Sequence, residues 1–131
     1  MNIKALTKLL YGLSGAIFLL AGASVLLAGT GLLPAVVNRA VMSAAHNDAD
    51  ALHIVQELGA FFVFAGLITI WFMKHYEQSR YFHWAMTGAL ALFALAHWFD
   101  ARGPVHSGIG PLISSIPFFL FLIVGLLRRS S

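Results

Sequence analysis

The stretch "LHIVQELGAFFVFAGLITIWFM", residues 52–73, decides the fold. Its last sixteen residues carry no charged side chain. The apolar residues follow one another instead of alternating, so they do not read as a half-buried strand. At 1.5 Å per residue, a helix of about 20 such residues crosses about 30 Å of hydrocarbon. Lipid offers no partner to an open backbone, and helices satisfy theirs internally. The stretch therefore predicts a membrane-spanning helix.

Three similar runs flank it, at about residues 9–33, 82–99 and 109–127. The chain has 131 residues, 60% of them hydrophobic and only 10% charged, where soluble domains carry roughly 25% charged residues. Four spans with short connections fill the length. The expectation is an all-α, membrane-spanning four-helix bundle, one domain over residues 1–131. The first run resembles a signal peptide, with two lysines ahead of it and the small residues "LAGAS" within it. It is too long for a signal-peptide core and is read as a retained helix.

Charge sets the expected orientation. Lys4, Lys8, Lys74, Arg80, Arg128 and Arg129 fall on one side, and Arg39 and Arg102 on the other. The positive-inside rule puts both termini and the "KHYEQSR" connection in the cytoplasm, and the implied location is a bacterial inner membrane. No basic patch interleaved with aromatics suggests nucleic acid. The chain has no cysteine, which removes disulfides and thiolate ligands.

Three of the five acidic residues lie within "HNDADALHIVQE", residues 46–57, with two of the six histidines. Before it, Pro34 opens a short amphipathic pattern with Val36, Val37, Ala40, Val41 and Ala44 on one stripe. This predicts an interfacial helix in the first outer loop. Asp48 or Asp50 is placed to cap the second span.

His53 and Glu57 are four apart, and His97 and Asp100 three apart, so each pair shares a helix face. In an antiparallel hairpin turning near Gln78, Glu57 lies level with a point between His97 and Asp100. Two imidazoles and two carboxylates on facing helices are a workable shell for a transition metal. An acid inside an apolar span is a functional candidate. A hydrogen bond tying two helices accounts for the same residues, and both readings stay open. A quinone is the other cofactor such a pocket would take. Haem is disfavoured: His75 lies near the level of His83, but only Glu57 and His53 come near that of His97, and a single haem between His53 and His97 would need the helices to slide by about 4 residues. His75 and His83 flank the cytoplasmic turn with Tyr76, Tyr81 and Trp84, and read as an anchoring belt at the headgroup level.

Gly15, Gly22 and Gly29 recur every seven residues on the first span and mark a close-packing face, within the bundle or against another protein. Pro117 is expected to kink the last span, with Ser114 and Ser115 able to bond carbonyls it frees.

The four-helix layout, these glycines and "ELGAFFVFAGLIT" opening the second span resemble the DoxX-like group of small bacterial inner-membrane proteins. The resemblance implies a redox-linked or accessory membrane role and carries no catalytic residue across. The functional expectation is a small integral membrane protein with an outward-facing His/carboxylate site, acting as an accessory subunit of a larger redox or energy-converting complex. Its partners would be lipid and other membrane subunits, or a second copy through the first span. The alternative is a stand-alone enzyme or carrier holding a metal or quinone at the outer mouth. A channel is disfavoured, since one chain has no polar stripe running the full depth, although an oligomer could make one.

Overall fold

The computed structural model describes residues 2–44, 48–99 and 109–129. The described chain is all-α: α1 (Ile3–Leu26), α2 (Ala35–Ala44), α3 (Ala49–Lys74), α4 (Arg80–Phe99) and α5 (Ile109–Arg129), with a 3₁₀ turn at Tyr76–Gln78 between α3 and α4. Among the described residues, α1, α3 and residues 111–128 of α5 are each long and apolar enough to cross a membrane. The protein is thus a multi-pass, largely hydrophobic helical membrane protein. Chain contacts divide it into two compact units, Gly12–Trp71 and a second made of Met1–Tyr11 with Phe72–Ser131.

The first unit is built on a glycine-mediated crossing of α1 and α3. A Cβ added to Gly22 would stand 2.6 Å from the Val63 nitrogen and 2.7 Å from the Gly59 carbonyl oxygen. One added to Gly59 would stand 2.9 Å from the Gly22 oxygen, and Gly15 and Gly66 repeat the arrangement two turns away. Backbone therefore meets backbone at two levels, where only hydrogen fits. Phe18 and Phe62 stack beside the crossing, with ring centroids 6.0 Å apart.

The ends of these helices are satisfied locally. The Asn2 side-chain oxygen accepts from the Ala5 amide at 3.1 Å, capping α1. Asp48 Oδ1 accepts from the amides of Asp50 and Ala51 at 2.8 and 3.1 Å, so Asp48 is the cap of α3. Gln56 Nε2 donates across to the Ala28 carbonyl at 2.8 Å, giving a partner to a buried residue's carbonyl just past the end of α1.

The first span ends sooner than its apolar run. The helix stops at Leu26, and Gly29 sits beyond it with φ +80, a turn conformation that glycine adopts without strain. Its amide donates to the Asn38 side-chain oxygen at 2.8 Å. That bond turns Asn38 inward. The half-buried face of α2 is accordingly Val37, Asn38, Val41 and Met42, with Val36 and Ala40 exposed, one position on from the stripe read in the sequence.

In the second unit α4 packs along α5. Trp98 Nε1 donates to Ser115 Oγ at 3.1 Å. Ser114 and Ser115 both donate to the Pro111 carbonyl, at 2.9 and 2.7 Å. The hydroxyls thus bond a carbonyl two residues before the Ile113 carbonyl that Pro117 deprives of its amide partner.

Candidate functional site

The buried polar centre of the second unit is His83. It lies on the first turn of α4, which opens after Ser79, and its own amide donates to the Ser79 carbonyl at 2.8 Å. The side chain is 1% exposed. Nε2 lies 2.8 Å from the Phe121 carbonyl oxygen of α5. Nδ1 lies 2.8 Å from the Tyr11 hydroxyl of α1. A carbonyl can only accept, so Nε2 carries the proton. Nδ1 then offers its lone pair, and the Tyr11 hydroxyl donates to it. One ring thereby joins three helices with both nitrogens engaged.

Gly125 makes the approach possible. The Phe121 carbonyl points along α5 toward residue 125, and a Cβ there would stand 2.9 Å from His83 Nε2. With hydrogen in its place, the imidazole reaches the second lone pair of a helical carbonyl from the side. Aromatic rings seal the contact. Tyr11 and Phe121, both fully buried, stack with centroids 5.8 Å apart, and Phe82 meets Tyr11 edge-on at 5.8 Å. His83 lies 5.3 Å from the Phe121 ring. Thr87 returns its hydroxyl to the His83 carbonyl at 2.8 Å. Among the described residues every buried side-chain nitrogen and oxygen has a partner.

Around this core the turn between α3 and α4 is clamped. Arg128, in the last turn of α5, donates Nη1 to Ser79 Oγ at 2.8 Å and Nη2 to the Tyr76 carbonyl at 2.9 Å. Its guanidinium lies 4.2 Å from the centroid of the Tyr76 ring, within cation–π range. Ser79 Oγ in turn donates to the Tyr76 carbonyl at 2.6 Å. Ser79 and Arg128 also lie beside the Tyr11 hydroxyl, so the clamp and the histidine contact adjoin. On the outer edge Lys4 Nζ donates to Glu77 Oε1 at 2.7 Å. That hydrogen bond holds the Glu77 carboxyl below its ordinary value of 4.5. The cavity between Arg80, His83, Trp84, Gly125 and Arg128 measures about 10 Å³, room for about one water.

This arrangement corrects the functional reading of the sequence. The expected outward-facing polar site, with its accessory redox role, gives way to a contact inside the protein, where His83 is 1% exposed and bonds Tyr11 and Phe121. The reason is burial. His53 and Glu57 side chains are 72% and 63% exposed, and their contact is with each other, 3.3 Å apart on one helix face. His97 Nδ1 donates to the Phe93 carbonyl of its own helix at 2.9 Å and its ring lies 4.5 Å from that of Phe93. Asp100 lies outside the described residues, as do His46, Arg102 and His106. Among the described residues no three His, Asp or Glu side chains are grouped to hold a metal ion. His83, read as a headgroup-level anchor, is instead interior.

A signal for it was present in the sequence. His83 and Gly125 are equidistant, at about 21 residues, from Pro104 in the connection between the last two spans, which puts them level in an antiparallel pair. A histidine facing a glycine at one depth is an imidazole with access to backbone. Tyr11, a hydroxyl early in an apolar span, is the remaining donor. No family model, no curated protein and no solved structure matches the chain, so the functional reading rests on this geometry.

Proposed function

We propose that the protein is a four-span bacterial inner-membrane binding module, with α4 as the fourth span and both termini in the cytoplasm. Its interior histidine is a structural lock, and its interaction surface is the basic end around the 3₁₀ turn. The observation that carries the reading is the double engagement of His83. An imidazole that spends Nε2 on a carbonyl and Nδ1 on a phenol has no site left for a metal, a haem or a quinone carbonyl. The 20 residues of α4 give about 30 Å at 1.5 Å per residue, enough to span. Lys4, Lys74, Arg80 and Arg128 gather at the clamped turn, in keeping with the cytoplasmic bias of the charges. The layout and the α1 glycines keep a DoxX-like relationship within this reading.

The test is His83→Gln in protein purified without chelator. The lock reading expects a lowered thermal midpoint and no change in bound metal or chromophore. A variant with wild-type thermal stability that has lost a metal or chromophore carried by the wild type would overturn it.

A further inference from the structure

Beside the 3₁₀ turn, at the end of the molecule where α1 begins and α3 stops, lies a cleft of about 240 Å³. Lys4, Lys8, Lys74, His75, Tyr76 and Glu77 line it. We propose that this cleft binds the phosphodiester headgroup of an anionic phospholipid.

Three ammonium groups converge on the cleft, and Glu77 is the acid that faces them. Lys4 and Lys8 are one helical turn apart and stand on one face of α1, where like charges repel. Glu77 takes Lys4 at 2.7 Å, and among the described residues neither Lys8 nor Lys74 has an ion-pair partner of its own. A phosphodiester between them supplies the missing negative charge and acceptor oxygens for ammonium donors.

Depth argues for a lipid as the source. Lys8 is half-buried in the second turn of the apolar helix α1, and Lys74 is the last residue of α3. Both stand where a span leaves the hydrocarbon, and lysine stems at that level extend toward the headgroups. Tyr76, Tyr81 and Trp84 fall in the same short segment, as aromatics do at the membrane boundary. Basic pockets between spans are recognised by anionic headgroups. The volume is below the roughly 300 Å³ of pockets for drug-sized ligands, and suits a headgroup whose acyl chains remain in the bilayer. The wall is also held in advance. Arg128 pins the turn through Ser79 and Tyr76, and Glu77 holds Lys4, so little ordering is left to binding.

This inference rests on the proposed reading of the basic end as the interaction surface and not on the His83 lock, so the two experiments fail separately. Purified full-length protein in neutral detergent is heated with dioleoylphosphatidylglycerol, with dioleoylphosphatidylcholine, or with millimolar inorganic phosphate. Phosphatidylglycerol is expected to raise the thermal midpoint by roughly 4 °C, and the other two to leave it unchanged. Lys8→Gln with Lys74→Gln should abolish the rise, while Arg39→Gln, which removes a charge from α2, should keep it. An equal rise with phosphatidylcholine, or with inorganic phosphate, overturns the lipid assignment, and so does a rise that survives in the double variant. If the double variant does not fold, native mass spectrometry of the wild type decides. Selective retention of phosphatidylglycerol over phosphatidylcholine supports the proposal, and equal retention contradicts it.

Discussion

At the scale of single residues, the histidine contact is set by what its partners can donate and accept. Tyr11→Phe keeps the ring packing and deletes the hydroxyl, leaving buried Nδ1 without a donor. The expected cost is about 1–3 kcal/mol, read as a lower midpoint in thermal unfolding in detergent. Two glycines give a paired control. Gly125→Ala pushes a methyl to 2.9 Å from Nε2 and should destabilise by a similar amount. Gly88→Ala places its methyl in open space and should stabilise slightly, by up to about 1 kcal/mol, since alanine is the better helix former. Equal effects in the two would show that the space around His83 does not matter. Glu77 gives a pH dependence. Its carboxyl is held below 4.5 by Lys4, so the pair adds stability above the ordinary carboxylate range and loses it as pH falls through the lowered value. Lys4→Gln should return the Glu77 titration toward 4.5, followed by NMR of the side-chain carboxyl. An unmoved titration would mean that Lys4 does not reach it.

At the scale of elements, α1 and α3 meet through glycine at two levels. Leucine at Gly22 cannot be accommodated by a rotamer change, because its Cβ already meets the Val63 nitrogen at 2.6 Å. Gly22→Leu should therefore separate the helices or cost at least about 1–3 kcal/mol, seen as loss of the cooperative thermal transition. Gly31→Ala offers a contrast, since nothing lies within 4 Å of its added Cβ. Its cost comes from the φ of +79 alone and should fall well short of that of Gly22→Leu. These elements also show what the sequence made legible. Continuous apolar runs specify helices in lipid whatever their partners, so the all-α class and the approximate extents of α3, α4 and α5 could be read. The α2 helix could be read from Pro34 and its stripe, but its rotation could not, because the Gly29–Asn38 bond that sets it joins residues nine apart. Spacing alone gave Glu57 prominence as a rare acid in an apolar helix. It did not say that the side chain faces out, because every face of such a helix is apolar and periodicity no longer marks the buried side.

At the scale of the molecule, one end gathers the clamp, the basic cleft and the histidine contact. The orientation proposed for it predicts that a reporter fused after Ser131 reads cytoplasmic; a periplasmic reading would turn the basic end outward. The contact itself was hard to read because it joins three segments of the chain, residues 11, 83 and 121, and each member has an ordinary reading alone. Histidine near a turn suggests an anchor, tyrosine near a terminus suggests the belt, and a phenylalanine contributes only its backbone. His83 ties α1 to α5 through both nitrogens. Nitrogen-15 NMR of histidine-labelled protein in lipid tests it most directly. The expected spectrum shows a His83 ring protonated on Nε2 alone, with the Nδ1 resonance shifting in Tyr11→Phe. A ring protonated on Nδ1, or an Nδ1 resonance indifferent to the loss of the Tyr11 hydroxyl, would contradict it.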